Sequence, residues 1–216
     1  MKIFAHRGYH NAGLLPNTLA AFKQAVLLGV DGIETDIRAS ADGAAILFHD
    51  RCLGDGTPVC SLTHRQLNEL VGYDVPTLAD ALENVPDILW NLEIKSFEGL
   101  EAALRVLNAA KPKAEFFVTS FVHKLVVDAT EHLRVDGGLL IAHAPLDCPS
   151  LGTARNRIRT LVWDFETVND KLVREAKMGG FDSMIYGPIS KDEHRAAKNM
   201  GIQALITDFP QYGRLD

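Results

Sequence analysis

Short β-rich apolar runs alternate with amphipathic, helix-like segments along the chain, and this alternation restricts the fold more than any other feature. Candidate strands cover residues 2–5, 32–37, 44–48, 88–94, 115–119, 137–142, 159–163, 183–186 and 203–207. Helix-like stretches cover residues 18–28, 100–110, 122–133, 169–178 and 191–200. Strands that alternate with helices of about 10–15 residues predict βαβ units and a parallel sheet. Nine candidates exceed an eight-stranded barrel by one, and a single short gap accounts for the surplus. Only six residues, 38–43, separate the second and third runs, and they contain the turn dipeptide Asp42-Gly43. A parallel crossover needs a dozen or more residues, so this connection is predicted to be an antiparallel hairpin. The other runs then make an α/β fold, a TIM (β/α)8 barrel over residues 1–216 as a single domain, with a β-hairpin after strand 2. An open doubly wound sheet fits less well, because His6-Arg7-Gly8 rather than a Gly-rich phosphate loop follows the first strand.

Composition narrows the function classes. Of the 216 residues, 47% are hydrophobic and 23% charged, enough apolar surface for a sizeable core and too much for a disordered chain. The formal net charge of −6, without any Lys/Arg cluster, argues against nucleic acid or an anionic membrane as partner. It leaves open a small anionic substrate held by a few local cations. Cys52, Cys60 and Cys148 are too scattered for a disulfide framework or a zinc site and suit a reducing compartment. The opening MKIFAHRGYHN has too short an apolar patch for a signal peptide or a membrane span. A cytoplasmic protein without membrane insertion is the expectation.

In a barrel of this kind, polar residues at the C-terminal strand ends carry the chemistry. The first strand ends in His6-Arg7-Gly8, and the second carries Glu34-Thr35-Asp36, whose carboxylates share one face because strand side chains alternate. The return strand of the hairpin ends in Phe48-His49-Asp50, with Phe48 roughly opposite Asp36, so His49 is expected beside the carboxylate pair. The strand at 88–94 brings Glu93 and Lys95 to one face, and later strands end in Ser120, Asp164 and Asp208. Three carboxylates converging from neighbouring strands repel one another unless a cation neutralises them. Glu34, Asp36 and Glu93 are hard oxygen ligands with no Cys nearby, which favours Mg2+ or Ca2+ over zinc. The competing account is a structural ion network with Arg7, Arg38 and Lys95. His6 and His49 flanking such a site suit general acid–base chemistry near neutral pH. Arg7 and Lys95 supply positive charge for a phosphoryl group. His10 lies in the loop after the first strand, and the remaining histidines read as structural.

At these residues the chain resembles the glycerophosphodiester phosphodiesterase family, of the phospholipase-C-like phosphodiesterase TIM-barrel superfamily. The matching pieces are His6-Arg7-Gly8, Asn17 through Phe22, Gly32 through Asp36, Asp42-Gly43 through Asp50, Leu92-Glu93-Ile94-Lys95, Ser120-Phe121 and Ala204 through Pro210. They run in the family's order over nearly the whole chain. The resemblance implies that Glu34, Asp36 and Glu93 bind a divalent metal, that His6 and His49 are the acid–base pair, and that Arg7 and Lys95 contact the phosphate. It further implies a small glycerophosphodiester substrate cleaved to glycerol 3-phosphate and an alcohol. A phospholipase-D-like or cyclising reaction on lysophospholipids shares this chemistry, and a non-catalytic phospho-ligand-binding barrel is the third reading.

Three departures bear on specificity. Pro16 stands where the family usually has Glu, so a contact from that position to the site is expected to be lost. Tyr186-Gly187-Pro188-Ile189 stands where Trp-Thr-Val-Asn is usual. The segment after His49-Asp50 looks shortened, which predicts a more open site. Residues 146–156 carry Pro and Gly suited to a loop. Beyond Pro210 the chain is too short for a closing helix, which points to a partner chain covering the wall, as in a homodimer.

Overall fold

The computed structural model describes residues 1–11, 13–110, 113–144 and 157–213. Strands β1 (Lys2–His6), β2 (Gly32–Ala39), β4 (Leu89–Ile94), β5 (Phe116–Ser120), β6 (Gly137–Ile141), β7 (Ile158–Asp164), β8 (Asp182–Tyr186) and β9 (Ala204–Thr207) pair in parallel. The β1–β2 pairing closes this ring of eight into a barrel. The ninth strand, β3 (Ala45–Leu47), runs antiparallel against the far end of β2, with Ile37 opposite Leu47 and Ala39 opposite Ala45. The backbone N–H of Phe48 donates to the Asp36 carbonyl at 3.1 Å, so the return strand delivers His49 beside the β2 carboxylates.

Helices α1 (Leu19–Leu27), α4 (Phe97–Ala110), α5 (His123–Leu133), α6 (Asp170–Met178) and α7 (Lys191–Asn199) follow their strands, within a few residues of the bounds that periodicity predicts. Side-chain caps start several of them: Thr18 accepts from Ala21 N–H, Asn169 from Leu172 N–H and Ser190 from Glu193 N–H. Two helices that periodicity did not mark, α2 (His64–Val71) and α3 (Leu78–Asn84), both begin with capping boxes, Thr63 with Gln66 and Thr77 with Asp80. The stretch after Asp50 is therefore a packed unit, with Val59, Leu67 and Val75 forming a satellite core around Ile46. At the C-terminal end a short 3-10 helix, Pro210–Tyr212, stands where a closing helix was not expected, and Pro210 is buried. The loop expected over residues 146–156 lies outside the described residues.

Strand alternation sorts the barrel into two apolar layers. Ile3, Ala5, Ile33, Ile37, Trp90, Leu92, Ile94, Leu161, Trp163 and Leu205 pack in the main core with helix residues such as Phe22, Leu107 and Val126. A second cluster, with Phe4, Leu140, Val162, Met184, Ala204 and Ile206, fills the barrel interior. Two positions after Phe4, Val162, Met184 and Ile206, toward the C-terminal ends, stand His6, Asp164, Tyr186 and Asp208. That switch from apolar to polar along one face places the site.

Candidate active site

The inward face of β2 carries Glu34 and Asp36, and that of β4 carries Asn91 and Glu93. Parallel pairing sets Glu34 beside Asn91 and Asp36 beside Glu93. Glu34, Asp36 and Glu93 are all buried, and each offers an oxygen within 4.8 Å of those of the other two. Arg7 and Lys95 both turn onto Asp36: Arg7 Nε lies 3.0 Å from Oδ2 and Lys95 Nζ 3.2 Å from Oδ1. Lys95 also donates to Glu93 Oε1 at 2.6 Å. Burial pushes the Asp36 carboxyl up, but Lys95, Arg7 and a hydrogen bond from Asn17 outweigh it and lower its pKa. Burial raises the Glu93 carboxyl, with Asp36 adding to the effect, and raises the Glu34 carboxyl well above the ordinary range, with Asp36 and Glu93 adding to it. Lys95, although burial disfavours its charge, is held above its ordinary value by Asp36 and Glu93.

These electrostatics separate the two accounts of the cluster. The ion network is real for Asp36, but it leaves Glu34 without a cation of its own. Glu34 Oε2 accepts from the Arg7 backbone N–H at 3.1 Å, while the buried Oε1 has no hydrogen-bond partner. Buried, mutually repelling, all-oxygen donors with an unmatched charge fit a divalent cation held by Glu34, Asp36 and Glu93.

The two histidines come from opposite ends of this geometry. His6 ends β1, with Nδ1 2.6 Å from Asp208 Oδ1 and Nε2 3.8 Å from Glu34 Oε2. His49 Nδ1 lies 2.8 Å from Asp50 Oδ1, and the Arg38 guanidinium donates to the His49 carbonyl at 2.8 Å. Burial is the main cause that lowers the His49 pKa, against the raising effect of Asp36 and Asp50. The turn after β1 is forced by Arg7 and Gly8, both at positive φ (55° and 81°). A Cβ at Gly8 would sit 2.7 Å from the Ala21 backbone, so only glycine lets α1 approach the His6-Arg7 turn.

His6, Arg7, Glu34, His49, Glu93 and Lys95 line one pocket of about 80 Å³ at the C-terminal mouth. A larger cavity of about 980 Å³ opens at the opposite mouth, lined by Lys2, Glu115, Arg134, Asp182 and others. Glu34 and Glu93 line the small pocket and not the larger one. All seven residues singled out from the sequence therefore meet, with Asp36 buried behind Arg7 and Lys95.

A model of the glycerophosphoryl diester phosphodiesterase family matches residues 6–135. The chain belongs to that family, and so to the phosphoric diester hydrolases. The glycerophosphodiester phosphodiesterase of Caldanaerobacter subterraneus subsp. tengcongensis is 27% identical over 234 aligned positions, spanning 97% of this chain and 94% of that one. The probable glycerophosphodiester phosphodiesterase 2 of Mycobacterium tuberculosis is 34% identical over 126 residues, but the match spans 54% of this chain and only 47% of that protein. Among solved structures, the glycerophosphodiester phosphodiesterase of Thermotoga maritima superposes with a TM-score of 0.82 at 26% identity, over 98% of this chain and 96% of that one. An Oleispira antarctica phosphodiesterase, solved with the product sn-glycerol-3-phosphate, superposes with a TM-score of 0.83 at 23% identity, covering 98% and 94% of the two chains.

Other polar residues around this pocket, to which the sequence alone assigned no role, complete it. Asn17, next to the unusual Pro16, is buried and donates from Nδ2 to Asp36 Oδ2 at 2.8 Å, while its Oδ1 accepts from the Thr35 hydroxyl at 2.7 Å. His10 Nε2 lies 3.1 Å from Asp208 Oδ1, so one carboxylate serves two imidazoles. Burial pushes the Asp208 carboxyl up, but the bonds to His10 and His6 outweigh it and hold it well below the usual range. Tyr186 lines the pocket with its ring edge-on to Phe121 at 5.9 Å, and burial and a hydrogen bond to Asp164 push its phenol upward. Asn91 was findable from the two-residue strand period, being two positions before Glu93. Asn17 and His10 carry no periodic signal. Among the described residues, no helix is long and apolar enough to cross a membrane.

Proposed function

We propose that the chain is a metal-dependent glycerophosphodiester phosphodiesterase that releases glycerol 3-phosphate and an alcohol, with His6 and His49 as its acid–base pair. The carrying observation is the meeting of three buried carboxylates with both histidines around one small pocket. The product bound to the Oleispira relative supports the substrate class. Mg2+ or Ca2+ suits the all-oxygen donor set.

The chain's own residues divide the work. A divalent cation held by Glu34, Asp36 and Glu93 adds positive charge at the phosphoryl oxygens when bound. Arg7 and Lys95, already drawn to this cluster, bind and orient the anionic phosphodiester. Donation of His6 Nδ1–H to Asp208 leaves Nε2 with its lone pair on the Glu34 side. Donation of His49 Nδ1–H to Asp50 likewise leaves Nε2 available. One imidazole takes the proton from the attacking oxygen as the new P–O bond forms. The other gives a proton to the departing alcohol oxygen as its P–O bond breaks.

The test is phosphorus NMR of glycerophosphocholine incubated with the protein and Mg2+ or Ca2+. Glycerol 3-phosphate formed only with metal is the expected result. A cyclic phosphate product would move the reading to internal attack by a glycerol hydroxyl, and no turnover with any glycerophosphodiester would end it.

A further inference from the structure

The inward face of β4 changes character from mouth to floor: Lys95 is a cation, Glu93 a carboxylate and Asn91 a neutral amide. Asn91 is fully buried, and its Nδ2 has no hydrogen-bond partner. Its Oδ1 accepts from the Thr119 hydroxyl at 2.7 Å, and the charge of the pocket favours this orientation over the reverse. Turning it over would aim Oδ1 into a pocket that Glu34 and Glu93 already make negative. The donor therefore faces the pocket, and a buried donor left unpaired is costly unless something fills it. Leu140 and Ile206 line the same pocket beside Asn91 and Thr119. A floor with apolar walls and one neutral donor matches a small hydroxylated carbon unit better than a charged group.

We propose that Asn91 Nδ2 donates a hydrogen bond to a hydroxyl of the substrate's glyceryl group, which makes Asn91 the specificity-determining residue for the polyol side of the phosphodiester. The inference rests on the reading of the site as a glycerophosphodiesterase. Arg7 and Lys95 serve the phosphoryl charge at the mouth, and Asn91 serves the neutral arm that reaches inward. A site built to bond a hydroxyl discriminates against an analogue that lacks it, because its buried donor is then unpaired.

The test compares glyceryl 4-nitrophenyl phosphodiester with its propyl counterpart, on Mg2+-loaded wild type, Asn91→Leu and Thr119→Val. Wild type is expected to prefer the glyceryl ester. Asn91→Leu should lower kcat/KM on that ester about tenfold and leave the propyl ester within about twofold, so the preference collapses. Thr119→Val, which removes the hydrogen bond that positions the amide, should erode the preference in part, and it carries the test if Asn91→Leu does not fold. Equal losses on both esters, or an unchanged preference, would overturn the assignment. If wild type turns over neither ester, calorimetry with glycerol 3-phosphate and propyl phosphate decides instead. Preference for glycerol 3-phosphate in wild type that Asn91→Leu loses upholds Asn91 and counts against the hydrolytic reading alone. Equal affinities in wild type overturn the role of Asn91.

Discussion

His6 and Asp208 stand 202 positions apart in the chain, yet His6 Nδ1 lies 2.6 Å from Asp208 Oδ1. The contact exists because β1 and β9 are neighbours in the closed barrel, with Ala5 beside Thr207. Asp208 fixes which nitrogen of His6 carries its proton and also tethers His10. Asp208→Asn is expected to lower kcat by about 10²-fold with KM changed little, since the residue acts through His6. Steady-state kinetics on a glycerophosphodiester check it, and a KM defect with normal kcat would place Asp208 in substrate binding instead.

Removing either imidazole should stop the reaction. His6→Ala and His49→Ala are each expected to cost at least about 10²–10⁴-fold in turnover, with unchanged circular dichroism. Full activity in either variant would refute the acid–base pair.

The metal prediction follows from the unpartnered Glu34 oxygen and from the mutual repulsion of the three buried carboxylates. Mg2+ or Ca2+ should raise the melting temperature, and a chelator should reverse the gain, because binding relieves carboxylate repulsion. Glu93→Gln is expected to weaken the cation at least tenfold by calorimetry. An unchanged affinity would remove Glu93 from the ligand set.

Asn17 sits at a φ of 57° and spends its side chain on Thr35 and Asp36. Asn17→Ala should destabilise the protein by about 1–3 kcal/mol in urea unfolding, through the lost buried hydrogen bonds. Asn17→Gly separates the causes, since glycine accepts the positive φ but not the bonds. A Gly variant as stable as wild type would show that backbone strain, not the amide, sets the cost.

His194 predicts an acid limit to stability. It is buried, with Nδ1 2.7 Å from the Ser190 carbonyl and Nε2 2.8 Å from the Thr207 hydroxyl. Burial is the main cause that lowers its pKa, so near and below pH 6.5 the unfolded chain binds the proton that the folded one refuses. Stability should fall as pH drops through this range and be unaffected by His194 at pH 8. Urea midpoints of wild type and His194→Gln, measured from pH 8 to pH 5, should show a smaller acid slope in the variant; equal slopes would refute the assignment.

The barrel was legible in the chain because strand alternation and connection length are local properties. Six residues around Asp42-Gly43 cannot make a parallel crossover, whatever the rest of the molecule does. The carboxylates were legible for the same reason: Glu34 and Asp36 share a face through the two-residue strand period, as do Glu93 and Lys95. Helices α2 and α3 were missed because each is short, and the signal lay in the capping boxes at Thr63 and Thr77 rather than in periodicity. Asn17, His10 and Asp208 acquired their partners only through barrel closure and the αL turn after His6. Residue types and their order along each strand are written in the sequence; which strand ends become neighbours, and so which groups share a proton or a cation, depends on contacts between residues far apart in the chain.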